Sequence, residues 1–154
     1  MPRIELRTEI AAAVELVFDL ARSIDAHVVS MTESRERAIA GVTSGLIGLD
    51  DQVTWRATHF RIPFTMTSRI VAMEAPTYFV DEQVQGPFAR FRHEHRFISE
   101  GGASQMIDAI EYSSPFGVLG RTVDRIGLER YLTNLIRKRN EHLKAAAEKK
   151  PSVS

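Results

Sequence analysis

Residues 91–97 read FRHEHRF, and the two histidines take their meaning from the backbone beneath them. On a strand, alternate side chains share a face. Phe91, His93, His95 and Phe97 then lie on one side, and Arg90, Arg92, Glu94 and Arg96 on the other. The second set is wholly charged and belongs in water. The histidines therefore point inward with the phenylalanines, and Glu94 points away from both of them. The HEH triplet is thus not a unit of chemistry.

The same period of two extends in both directions. Strands are predicted near 35–42, 51–62, 64–75, 77–86, 88–99 and 103–113, separated by turn residues such as Gly45, Gly48, Pro63, Pro76, Gly86, Pro87, Gly101 and Gly102. Short connections between consecutive strands favour antiparallel pairing. Ahead of them, RIELRTEI (3–10) alternates as a half-buried strand. A helix follows over roughly 11–23, carrying Val14, Val17, Phe18 and Ala21 at helical spacing, and then a second short helix or turn, IDAHVVSM. After the last strand, a helix is predicted over roughly 120–148 with Leu128, Leu132, Leu135, Ile136 and Leu143 on one broad face. Leu119, Val123 and Ile126 project to the opposite side, which predicts a bend or a delayed start close to Gly127. The Phe116–Leu119 segment then packs separately, across the mouth of a cavity. Residues 1–148 read as a single domain and 149–154 as a frayed tail.

Strand, two short helices, six strands and one long helix make an α+β chain. Its seven-stranded curved antiparallel sheet needs a cover, and the C-terminal helix supplies it. A sheet that wide does not lie flush on one cylinder, so an internal space suited to a small apolar molecule is expected.

Parity assigns the cup. Val53, Trp55, Ala57 and His59 face inward against Thr54, Arg56 and Thr58. Met106, Asp108, Ile110 and Tyr112 form the more apolar set of the last strand. Tyr78, Val80 and Val84 suggest the inward set of 77–86, which brings in Glu82. For 64–75, Phe64, Met66 and Ile70 compete with Val71 and Met73, and both parities stay open. The candidate ligand contacts are Trp55, His59, Phe91, His93, His95, Phe97, Asp108, Tyr112 and Phe116. Of these, His59, His93, His95 and Asp108 are the candidates for acid–base work, because an inward His–Asp pair is a pKa-tuned proton device. The same pair also satisfies the buried polar groups.

Other chemistry is narrowed by what the chain lacks. It has no cysteine, which excludes disulfides, thiolate catalysis and cysteine-ligated metals. Two histidines two apart on a strand are a weak metal signal, so no metal is expected, and no cofactor. GVTSGLIG (41–48) matches neither nucleotide-binding glycine pattern and reads as a mobile loop near the cavity entrance. The 20 basic and 20 acidic side chains balance, giving no reason to expect nucleic acid. Residues 116–154 nevertheless carry nine basic and four acidic groups, so a partner dock on the C-terminal helix is a further reading. A solvated face is the default for such charges, and membrane contact is not expected. The N-terminus has no signal-peptide core, and no apolar run reaches the roughly 20 residues that span a bilayer. A cytoplasmic protein is expected.

The order of elements resembles the helix-grip fold of the START and birch-pollen-allergen (SRPBCC) superfamily, and within it the bacterial ligand-binding and polyketide cyclase/dehydrase-like branch. The resemblance is carried by VELVFDLARSID, GLIGLDDQVTWRATHF, FARFRHEHRF and SSPFGVLGR…LERYLTNLIRKRNEHL, and it covers about residues 3–145. It implies a hydrophobic cavity between sheet and C-terminal helix. Relatives bind lipids, sterols, hormones or polyketides, and some cyclise or dehydrate them. The expected function is carriage or sensing of a small, largely apolar molecule, with a cyclase or dehydratase as the alternative.

Overall fold

A computed structural model describes residues 2–113 and 125–149. Seven antiparallel strands are present: β1 (Arg3–Ile10), β2 (Arg37–Gly41), β3 (Gln52–His59), β4 (Ile62–Glu74), β5 (Tyr78–Gln85), β6 (Arg90–Glu100) and β7 (Ala103–Ser113). They form one sheet in the order β1-β7-β6-β5-β4-β3-β2. β1 and β2 therefore sit at opposite edges, and α1 (Val14–Ala21), α2 (Ile24–Ser30) and a 3-10 turn (Thr32–Ser34) carry the chain between them. α2 starts where the Ser23 hydroxyl accepts from the Ala26 N–H at 3.1 Å, a serine N-cap.

α3 (Arg125–Glu148) closes the fold. Ile126 is exposed while Leu128 packs on the core, as their opposed helical positions require. The Phe116–Leu119 segment, including Phe116, lies outside the described residues. The helix packs chiefly on β1, α1 and α2. Its C-terminal end is tied down by the Ala11 N–H donating to Glu148 at 2.8 Å and by Lys144 donating to the Glu9 carbonyl. Lys144 also pairs with Glu148, and Lys138 with Glu33, so part of the basic charge of this helix is neutralised within the chain. No helix among the described residues is long and apolar enough to cross a membrane.

Two apolar clusters fill the space between layers. One joins Val14, Val17, Phe18 and Ala21 of α1 to Phe79, Phe97, Met106, Leu143 and Ala147. The other joins Ile4, Ile110 and Tyr112 to Leu132 and Ile136. Phe18 centres the first, edge-on to Phe79 and Phe97 with ring centroids 5.6 and 5.4 Å away.

Parity along β3, β6 and β7 follows the alternation of the sequence, but β4 and β5 depart from it. The register shifts twice between them. Thr67 faces Gln85 and Ser68 faces Gln83, leaving Val84 as the extra residue of a bulge. Ile70 faces Asp81 and Ala72 faces Val80, leaving Val71 as another. Both extra valines are exposed. The second bulge resolves the competing parities of β4, because Phe64, Met66 and Ile70 face inward before it and Met73 packs on the core after it. On β5 the expected parity is reversed. The concave face carries Phe79, Asp81 and Gln83, whereas Glu82 lies on the convex face, 3.3 Å from Arg92. Hydrophobicity points to the wrong set because the inward residues of β5 include two polar ones. The GVTSGLIG loop, expected to be mobile, is fastened to the helices by Ile24 N–H to Gly45 O and Ile47 N–H to Arg22 O, with Ile47 buried in the core.

Replacing Phe18 with alanine removes the ring on which Phe79 and Phe97 pack, and the expected cost is about 3–5 kcal/mol of unfolding free energy. Urea denaturation checks this. Phe18→Leu, which leaves a smaller void, should cost clearly less.

Candidate functional site

Between the two apolar clusters lies a polar layer built from β5, β6, β7 and α3. Register fixes it: His95 faces Asp108 across β6–β7, and His93 faces Asp81 across β5–β6. Asp108 is the hub. Its Oδ1 accepts from His93 Nε2 at 2.7 Å, and its Oδ2 accepts from the Asn140 amide at 2.7 Å. Arg139 reaches Asp108 Oδ1 at 3.4 Å and also donates to the Ala21 carbonyl at 3.2 Å. His95 Nε2 bonds Asp81 Oδ2 at 2.8 Å. The two imidazoles stack at 3.8 Å, and Phe79 covers His95 at 4.1 Å. Exposure is 5% at His93, 2% at His95, 1% at Asp108, 3% at Arg139 and 2% at Asn140. Asp81 keeps 21% of its side-chain surface and is the outermost member.

The carboxylates accept and cannot donate when ionised, so His93 and His95 carry protons on Nε2. His95 Nδ1 is buried 3.4 Å from Asp108 Oδ1 without the geometry of a hydrogen bond. Burial, reinforced by the neighbouring His95, pushes His93 down to about 4 despite its bond to Asp108. It is neutral at neutral pH. Burial works against ionisation of Asp108, but the His93 hydrogen bond, the adjacent His95 ring and the Arg139 charge outweigh it and hold Asp108 well below the ordinary carboxyl value. Asp81 is lowered as well: burial opposes ionisation, and the bond from His95 prevails.

His59 stands apart from this layer. Two strands intervene between β3 and β6, roughly 14 Å at ordinary strand spacing. It belongs to a second group, bonded through Nδ1 to the Tyr131 hydroxyl. Glu36 lies near it and binds His27 Nε2 at 2.7 Å, and His27 packs on Trp55 at 4.3 Å. Burial lowers His59, with the Glu36 charge opposing. Glu36 itself is lowered, because the His27 charge and hydrogen bond outweigh its burial.

The other sequence candidates divide in two. Phe97 and Tyr112 are fully enclosed by core contacts. Trp55 and Phe91 are half-buried on the concave face. Phe64 and Met66 are also half-buried there and pack into neither cluster. A half-open cleft of about 670 Å³ lies where the β3–β4 turn and the 3-10 turn meet α3, lined in part by Phe60, Tyr131 and Leu135.

Asp81, Arg139 and Asn140 belong to the layer without being among the residues expected from the sequence. A signal for the helical pair was present, since Arg139 interrupts the apolar stripe midway between Ile136 and Leu143. A charge there needs an inward acid, and strand parity places Asp108 inward.

Metal ligation by this layer is a separate question. Ligand atoms of Asp81, His93 and His95 lie within 4.8 Å of one another. Both Nε2 atoms, however, are committed to carboxylates, and the Arg139 cation touches Asp108. The donor set fits a closed hydrogen-bond network better than a divalent ion.

The neutral state of His93 has a pH consequence. Its folded value of about 4 lies below its ordinary 6.5, so the unfolded chain takes up the proton first. Its contribution to stability is complete above about pH 6.5 and is lost as pH falls toward 4. At 1.36 kcal/mol per unit, the loss amounts to roughly 3 kcal/mol. The lowered Asp108 and Asp81 add their losses only below the ordinary carboxyl range. Urea unfolding followed from pH 7 to 4.5 should show this decline in the wild type. His93→Gln, which still donates to Asp108 but does not titrate, should give a shallower curve; parallel curves would contradict the assignment.

No protein-family model and no curated protein matches the sequence. Solved structures do match. TTHA0849 from Thermus thermophilus superposes with a TM-score of 0.74 at 16% identity, covering 95% of this chain and 99% of that one. The Zhui aromatase/cyclase from Streptomyces sp. R1128 gives 0.72 at 13%, covering 96% and 93%. The ginseng major latex-like protein 151 from Panax ginseng gives 0.69 at 14%, covering 95% and 97%. At these identities the likeness is one of fold. With its seven-stranded curved sheet, two short helices after β1 and long C-terminal helix, the chain has the helix-grip fold shared by birch-pollen-allergen-like proteins and an aromatase/cyclase.

Proposed function

We propose that the chain binds a small, largely apolar molecule against the concave face of its sheet, as a carrier or sensor. One observation carries this reading. Phe64 and Met66 point inward from β4, stay half-buried and belong to neither core cluster. Trp55 stands beside Met66 across β3–β4, and Phe91 extends the same face on β6. Inward apolar surface that the described residues leave half-exposed is the kind that a ligand covers. α3 packs chiefly on β1, α1 and α2, which is consistent with that surface staying accessible.

His93, His95 and Asp108 belong to the scaffold in this proposal and are not its catalysts. Their ring and carboxylate atoms are enclosed and bonded to one another, and general acid–base catalysis requires hydrogen-bond reach to a substrate. Phe97 and Tyr112 serve as walls. Trp55, Phe64, Met66 and Phe91 are the assigned ligand contacts, with His59 and Tyr131 as polar neighbours near the cleft.

Trp55 is the only tryptophan and reports on the site directly. Native mass spectrometry of the purified chain should reveal a retained small molecule, and titrating the stripped protein with dodecanol should shift Trp55 emission saturably at one-to-one stoichiometry. Met66→Glu should weaken that binding at least tenfold. A chain that retains nothing and shows no saturable change would overturn the proposal.

A further inference from the structure

The cleft beside α3 is charged as well as apolar. Its lining includes Arg35, Arg61 and Lys138 against one acid, Glu33. Glu33 is taken by Lys138 at 2.7 Å. Arg35 and Arg61 have no acidic partner among the described residues. Two guanidinium groups at one concave opening concentrate positive potential there, and their forked donors match a carboxylate or phosphate.

The backbone supplies an independent observation. Four non-glycine residues among those described have positive φ, and three of them line this cleft: Arg35 at 53°, Phe60 at 53° and Arg61 at 64°. Phe60 and Arg61 are the two central residues of the β3–β4 hairpin, with His59 pairing Ile62. Positive φ at both positions is the type I′ geometry, which Asn-Gly adopts with little strain and which Phe-Arg does not. The strained turn holds an exposed aromatic ring, 64% accessible, and the Arg61 cation at the opening. Phe60 leans on Tyr131 at 4.5 Å, and Tyr131 binds His59, which lies on the concave face with Trp55. Ring contacts therefore run from Phe60 through Tyr131 and His59 to Phe64, linking the cleft to the proposed ligand surface. Strain at a position that points a cation and an aromatic ring into a cleft is what a binding role accounts for.

We infer that the ligand is an anionic amphiphile, whose carboxylate or phosphate head is held by Arg35 and Arg61 at this cleft while its apolar body lies along the concave face. The inference rests on the proposed apolar binding and adds the charge of the ligand to it.

Isothermal titration calorimetry with dodecanoate, dodecyl phosphate and dodecanol tests it on the full chain. The wild type should bind at least one of the two anions tenfold or more tighter than dodecanol, and the tighter of them identifies the head group. That preference should shrink as sodium chloride rises from 50 to 500 mM, while dodecanol affinity stays constant. The double variant Arg35→Gln/Arg61→Gln should lose the preference and keep its dodecanol affinity. Equal wild-type affinity for all three would overturn the anionic head while leaving the apolar site standing. Absence of binding by any of them would overturn both. Should the double variant lose dodecanol binding too, the salt dependence of the wild type decides: a salt-independent preference would overturn the inference.

Discussion

Asp108 is the constraint on which the arrangement of helix and sheet depends. It is a buried carboxylate in the middle of β7, and it stays ionised because His93, Asn140 and Arg139 surround it. Two of those three partners come from α3. Along the helix the inward order is Leu132 and Ile136, then Arg139 and Asn140, then Leu143 and Ala147. Along β7 it is Tyr112 and Ile110, then Asp108, then Met106. The polar layers meet only in one register. Sliding the helix by a turn would set an apolar side chain against Asp108 and leave Arg139 in a hydrocarbon environment. Buried ion pairs add little net stability compared with apolar packing, but removing one partner is expensive. Such a layer therefore chooses among packings rather than strengthening them all.

That choice shapes the remaining space. With α3 held over β7 and β1, the first apolar cluster is closed by α1, and the second by the middle of α3. The strands farthest from β1 receive less cover. Trp55, Phe64 and Met66 on β3 and β4 remain half-buried as a result. The scaffold thus separates a sealed polar layer from a half-open apolar surface, and the proposed binding belongs to the second. Histidines that suggest chemistry in the sequence hold the wall in place.

Much of this is legible in the chain. β6 alternates cleanly because one face is packed and the other carries charge, and β7 keeps its parity although Ile107 and Ala109 on its other face are buried too, so parity puts Phe91, His93, His95 and Asp108 on the inward face. β5 misleads because its concave residues, Phe79, Asp81 and Gln83, are mostly polar, while Val80 and Val84 on the other parity are apolar. Neither bulge is marked by glycine, so the extra residues Val71 and Val84 give no local signal. His59 shares inward parity with the other histidines but not their neighbourhood, since strand order and not parity sets lateral distance. The cleft with its arginines depends on three segments remote in sequence and a turn whose residues do not advertise positive φ.

A double-mutant cycle on Asp108 and Arg139 tests whether this layer sets the helix on the sheet. Unfolding free energies would be measured in urea for the wild type, Asp108→Asn, Arg139→Met and the pair. Each single change should be strongly destabilising, by about 3–5 kcal/mol. The pair should cost less than the sum by about 2 kcal/mol or more, on the order of the coupling seen between residues in one buried network. Additive effects, or single changes that cost almost nothing, would show that the helix finds its place on the sheet without this layer.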